Sequence, residues 1–247
     1  MSLSVIHLNF SYPNSKIPAV DDLSCTFKPG KFYGIFGANG SGKSTLLKLL
    51  AGDLSGDAAV LLEGRVLRSF NCKERAKALA YAAQEEELIM PFKVKDCIAL
   101  GRYAWNDENN ALIARLLKDW NAEALQDKLF AELSGGERQK IKLLRILAQD
   151  TRYILLDEPA SSLDLPKQLE LYENLQKVAH EENKCIIMVC HDLYTAPTFI
   201  DEMLIMKAGK LLYSGFPETT EAAEATSKAF DRNFKINRKK RCIELSW

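Results

Sequence analysis

Residues 37–45 read Gly37-Ala38-Asn39-Gly40-Ser41-Gly42-Lys43-Ser44-Thr45, the spacing G-x-x-x-x-G-K-[ST]. The stretch lies directly after the apolar run Phe32 to Phe36 and directly before a helical pattern over Ser44 to Ala51. Glycines there let successive backbone N–H groups turn inward around an anion, and the helix start adds partial positive charge. In that context the pattern predicts a phosphate cradle, with the Lys43 ammonium on the β- and γ-phosphates and the Ser44 hydroxyl on Mg²⁺. A strand running into such a loop and a helix running out of it make one unit of a doubly wound α/β sheet.

The rest of the 247-residue chain repeats that alternation. Tyr153 to Leu156 precedes a helix over Pro166 to Ala179, and Ile186 to Val189 is a further strand. Both strands are apolar at every position, which predicts central parallel strands covered by helices on both faces. Residues 85–132 carry no clear strand, and Ala111 to Trp120 places Leu112, Leu116 and Leu117 on one helical face. They read as a helical insertion between core segments 1–84 and 133–215. Beyond Gly215, residues 216–247 suit a terminal helix and a poorly ordered basic tail.

Lys+Arg and Asp+Glu number 33 each, so no whole-molecule field favours nucleic acid, and none is expected as a partner. The last sixteen residues hold six basic residues against one acid, including Arg238 to Arg241, and the remainder is correspondingly acidic. Six cysteines without a Cys-x-x-Cys pair read as buried thiols in a reducing compartment rather than as a disulfide framework. Met1-Ser2-Leu3-Ser4 carries no basic stretch ahead of an apolar core, so no secretory signal is expected. Cys185 to Cys190, the longest strongly apolar run, falls far short of the roughly 18 residues of a membrane span.

The strand at Tyr153 ends in Asp157-Glu158-Pro159. Carboxylates beside a buried strand are costly unless they serve a cation. Together with the loop they predict that Asp157 holds Mg²⁺ and that Glu158 polarises a water for in-line attack on a phosphate.

Leu133-Ser134-Gly135-Gly136-Glu137 resembles the signature of the ATP-binding-cassette (ABC) proteins, and the resemblance runs to about Gly215. Gln84 after Leu79-Ala80-Tyr81, Ser161-Ser162-Leu163-Asp164 after Pro159, and His191-Asp192 after the strand at 186–189 follow in the family's order. The resemblance implies a P-loop NTPase (RecA-like) core with a mostly parallel sheet, an antiparallel β part near the N-terminus and an inserted α-helical subdomain. It further implies that Tyr12 stacks on adenine, a surface-turn tyrosine being the other reading. Gln84 would touch Mg²⁺, and His191 would bond the γ-phosphate and support Glu158. Ser134, Gly135, Gly136 and Glu137 would cover the phosphates held by a second copy, with Asp164 in the dimer loop. The implied activity is hydrolysis of ATP with Mg²⁺ by a head-to-tail homodimer.

Arg75 to Tyr81, Ala99-Leu100-Gly101-Arg102-Tyr103 and Leu163 to Glu170 are similar to the importer ATPases for iron chelates, haem and cobalamin. That branch implies a separate membrane permease, an extracytoplasmic substrate-binding protein acting indirectly, and a peripheral place at the cytoplasmic face of the inner membrane. It also has Pro-His where this chain has Ala104-Trp105, and a longer stretch between Arg102 and Leu133. Alternatives are a zinc or manganese importer ATPase and a soluble cassette serving Fe–S assembly or repair. Glu85 to Val94, with Leu88, Ile89, Met90 and Phe92, reads either as a groove for a permease helix or as a satellite core.

Overall fold

The computed structural model describes residues 1–84, 91–237 and 242–245. Strands β1 (Leu3–Phe10), β2 (Val20–Phe27) and β3 (Lys31–Phe36) lead to helix α1 (Lys43–Ala51). The short β4 (Leu61–Leu62) and β5 (Arg65–Val66), helix α2 (Cys72–Ala78) and β6 (Leu79–Ala82) follow. Helices α3 (Val94–Ala99), α4 (Asn110–Asp119) and α5 (Gly135–Ala148) precede β7 (Tyr153–Asp157), α6 (Leu165–Glu181) and β8 (Cys185–Val189). The chain closes with β9 (Glu202–Lys207), β10 (Lys210–Gly215), α7 (Thr220–Phe230), β11 (Phe234–Asn237) and β12 (Cys242–Leu245).

The main sheet has the order β10-β9-β3-β8-β7-β6, parallel except for β10. A second, antiparallel sheet runs β2-β1-β4-β5. In the parallel register Ile35 pairs with Val189 and Val189 with Asp157. The strand ends are thus level, and the segments after β3, β7 and β8 leave along one edge, where α/β sheets place their ligands.

Successive side chains of these strands point to opposite faces, and each face has its own core. Phe32, Phe36, Ile154, Leu156, Ile186 and Met188 pack with residues of α3 to α7. Tyr33, Ile35, Tyr153, Leu155, Ile187 and Val189 pack with α1 and the antiparallel strands. Helices therefore lie on both faces, and the antiparallel strands share the cover of the second. One face is covered by helices, the other by α1 and β1–β2. Either cover demands the unbroken apolar strands seen in the sequence.

In α4, Asn109 caps the Leu112 N–H at 3.2 Å, and Ile113, Leu116 and Leu117 are buried, with Leu112 packed at the margin. They form an i, i+3, i+4 stripe continuous with α3 and α5. The C-terminal segment departs from the expected poorly ordered tail. After α7, β11 and β12 pair as a hairpin with Ile236 opposite Ile243, and Ile243 is fully buried. Ser227 Oγ accepts from Phe234 N–H at 2.9 Å, and the Phe230 and Phe234 rings meet edge to face. Arg238 to Arg241 lie outside the described residues. Cys25, Cys97, Cys185 and Cys190 are free and buried, whereas Cys72 is exposed, contrary to a uniformly buried set. No helix among the described residues is long and apolar enough to cross a membrane.

Candidate functional site

The loop after β3 turns on backbone that only glycine tolerates. Gly42 sits at φ 102°, and a Cβ there would stand 2.2 Å from Ala19 O. At Gly37 a Cβ would stand 2.4 Å from Met206 O. Helix α1 starts from this left-handed Gly42 with no side-chain cap, so its first N–H groups remain donors without a side-chain acceptor. The Lys43 ammonium curls into the loop and donates to Gly37 O at 2.8 Å and Ala38 O at 3.1 Å. Burial pulls Lys43 below its ordinary pKa, and the nearby Glu158 and Asp157 oppose that shift. Ser41 Oγ is buried with no hydrogen-bond partner among the described residues, a polar atom awaiting an acceptor. At the rim, Tyr12 is 41% exposed, its hydroxyl lies 3.2 Å from Thr45 Oγ1, and its ring stands edge-on to Phe10.

The ends of β6, β7 and β8 supply the facing groups. Asp157 is buried and accepts from Ser44 Oγ at 3.0 Å. Burial pushes its carboxyl above the ordinary range, against the lowering effect of the Ser44 bond. A carboxylate buried beside a hydroxyl fits a hard divalent cation with oxygen ligands, Ser44 and Asp157 being the chain's donors. Glu158 holds φ at 54°, in the left-handed region that a residue with a Cβ adopts only when its surroundings enforce it. Its Oε2 accepts from Gln84 Nε2 at 2.7 Å, and its Oε1 lies 2.5 Å from His191 Nε2. One carboxylate therefore gathers the residues following two different strands. The resulting open cleft of about 610 Å³ is lined by Asn39, Gly40, Gly42 to Thr45, Gln84, Glu158 and His191.

Ser134, Gly135, Gly136, Glu137 and Asp164 do not line this cleft. Helix α5 begins at Gly135, with Ser134 as its N-cap. Ser134 Oγ donates to Glu137 Oε2 at 2.7 Å, while Glu137 also accepts from Ser134 N–H at 2.8 Å. This hydrogen bonding holds the Glu137 carboxyl below its ordinary pKa. Asp164 caps α6 through Lys167 N–H at 3.1 Å. Sequence reading missed Gln168, whose Nε2 donates to Ala160 O at 3.2 Å and Leu163 O at 2.9 Å and so fastens the turn before Asp164. A glutamine in the first turn of a helix carries no signal of such a role. Of the 85–94 segment, Leu88, Ile89 and Met90 lie outside the described residues, and Phe92 is 46% exposed.

A family model described as "ABC transporter" matches residues 20–161, more than half of the chain. The chain is similar to the hemin import ATP-binding protein HmuV of Bordetella bronchiseptica, with 33% identity over 222 residues covering 85% of each chain. It is 35% identical over 215 residues to the petrobactin import ATP-binding protein FpuC of Bacillus anthracis, covering 84% of this chain and 79% of that one. Among solved structures, the dimeric post-hydrolysis state of the cassette MJ0796 with ADP and Pi superposes with TM-score 0.78 at 22% identity, covering 87% and 98%. The protein cbiO1 from Clostridium perfringens gives TM-score 0.78 at 24% identity, covering 92% of each. With its phosphate loop, paired carboxylates and signature turn on this fold, the chain belongs to the ABC transporter family, as an ATP-binding and ATP-hydrolysing subunit.

Proposed function

We propose that two copies of the chain pair head to tail, each closing its Ser134 turn over the nucleotide held by the other's loop 37–45, and hydrolyse ATP with Mg²⁺. The observation that carries this reading is Glu158, held at φ 54° in the cleft between Gln84 and His191. Bound Mg²⁺ would supply charge neutralisation at the phosphates. In the chain itself Ser44 and Asp157 hold the metal side, with Gln84 reaching it, and Lys43 with the N–H groups of Gly40 to Thr45 holds the phosphates. Tyr12 offers an exposed ring at the loop's rim for adenine. Glu158 takes a proton from the attacking water, and His191 orients that carboxylate and reaches the γ-phosphate. Gly135 and Gly136 let the helix start approach closely, Glu137 releases Ser134 on closure, and Asp164 lies at the dimer contact.

The names of the hemin and petrobactin import relatives support an importer of iron chelate or haem, with cobalamin in the same class. The chain would sit peripherally at the cytoplasmic face of the membrane, with core 1–84 and 133–215, insertion 85–132 and terminal region 216–247. It would engage a separate permease through the segment at 85–94, and an extracytoplasmic binding protein indirectly. Exposed Phe92 supports that contact. The test is uptake in vesicles holding the permease and this ATPase. ATP-dependent uptake of a ferric chelate, haem or cobalamin is the expected result, and movement of zinc or manganese alone would contradict the cargo assignment.

A further inference from the structure

The structure holds a second polar cluster away from the cleft, at the far end of the signature helix. The last carbonyls of any α-helix lack internal partners. At the end of α5 two of them are taken by the loop at 100–107. Arg102 Nη1 donates to Ala148 O at 3.2 Å, and Trp105 Nε1 donates to Gln149 O at 2.7 Å. Arg102 is 4% exposed and is itself clamped by Asp107 through two 2.8 Å bonds. Its guanidinium and the Lys77 ammonium stand 5.1 and 4.7 Å from the Trp105 ring centre. The loop approaches closely, since a Cβ on Gly101 would stand 2.1 Å from Arg145 O. Gln149 also reaches the other way. Its Nε2 donates to Ala76 O at 2.5 Å and Leu79 O at 3.2 Å, the end of α2 and the start of β6.

Gln149 is thus a single residue whose carbonyl is held by the insertion and whose side chain is held by the strand that leads to Gln84. We propose that Arg102, Trp105 and Gln149 form the joint that fixes the tilt of α5 against β6. They would act as positioning residues that set where Ser134 stands relative to Gln84 and Glu158. The lever is long. Fourteen residues of helix span about 20 Å, so a tilt of about 3° at the joint moves Ser134 by about 1 Å. A misplacement of about 1 Å at a reacting centre can cost about 10²-fold in rate. Helix-end charge adds to the hold, since the Arg102 guanidinium sits against the negative end of the α5 dipole.

This inference rests on the reading of Ser134 as acting on a partner's nucleotide, and the experiment separates the two. Full-length Trp105→Phe, Gln149→Met and Lys77→Met are compared with Ser134→Arg for ATP affinity, kcat per nucleotide-binding site, and thermal midpoint. Trp105→Phe and Gln149→Met should lower kcat about tenfold with affinity changed by less than about twofold, Lys77→Met less, and Trp105→His, which keeps a ring N–H, should recover most of the loss. If Trp105→Phe does not fold, Gln149→Met and Lys77→Met carry the same readout. A kcat per site equal to the parent's in these variants, with only the thermal midpoint lowered, overturns the joint. Normal hydrolysis by Ser134→Arg overturns the shared site instead.

Discussion

The two helix starts proposed to bear on phosphate are built in opposite ways. Helix α1 emerges from a left-handed glycine with no capping side chain, and its cationic Lys43 is held inside the loop. Helix α5 carries a complete capping box, Ser134 with Glu137, so its polar groups already have partners within the chain. An uncapped start can receive an anion at once. A capped one binds a phosphate only when that phosphate displaces Glu137. The first should therefore hold ATP in a single copy, and the second should respond to nucleotide presented by another. Gln84 and His191 resemble the second kind, since both already have Glu158 as a partner.

The largest expected effect is on turnover. Glu158→Gln keeps the loop intact and removes the base, so hydrolysis should fall by about 10²–10⁴-fold while ATP still binds. Steady-state ATPase beside equilibrium binding checks both halves. Lys43→Ala should fail the other way, losing about ten- to a hundredfold in ATP affinity, the worth of a charge-assisted hydrogen bond. The sharper test concerns Asp157. Its folded pKa is raised, so its contribution to stability is present at low pH and lost as pH climbs from about 4 through that raised value. Nucleotide-free Asp157→Asn should lack that loss and melt higher than the parent at neutral pH, yet bind Mg·ATP more weakly. Thermal melts across pH, with and without Mg·ATP, read this directly. Smallest is the cap itself: Glu137→Ala should cost about 1 kcal/mol of stability, measured by denaturant unfolding, without weakening ATP binding to one copy.

What could be read from the sequence was local. The loop at 37–45 carries its own pattern, and the all-apolar strands at Tyr153 and Ile186 need cover on both faces wherever the cover comes from. The share of β1 and β2 in that cover has only a weak periodic signal, because they pair antiparallel with bulges near His7, which blur their alternation. The hairpin β11–β12 is hidden by the basic run between its strands, although Ile236 and Ile243 are its half-buried and buried pair. The clasp on α5 had no local signal at all. Arg102 and Ala148 lie 46 positions apart, and Trp105 stood out only as a departure from the importer pattern. Residues 85–90 lie outside the described structure, so the groove expected there rests on Phe92.

The central claim is that the capped turn at Ser134 completes a site on another copy. Static light scattering of Glu158→Gln with ATP and Mg²⁺ addresses it most directly, because that variant should hold nucleotide without consuming it. The mass should double on adding ATP, and the doubling should vanish when Ser134→Arg is added, with ATP binding to the single copy unchanged. A dimer of Glu158→Gln that persists with Ser134→Arg would contradict the account.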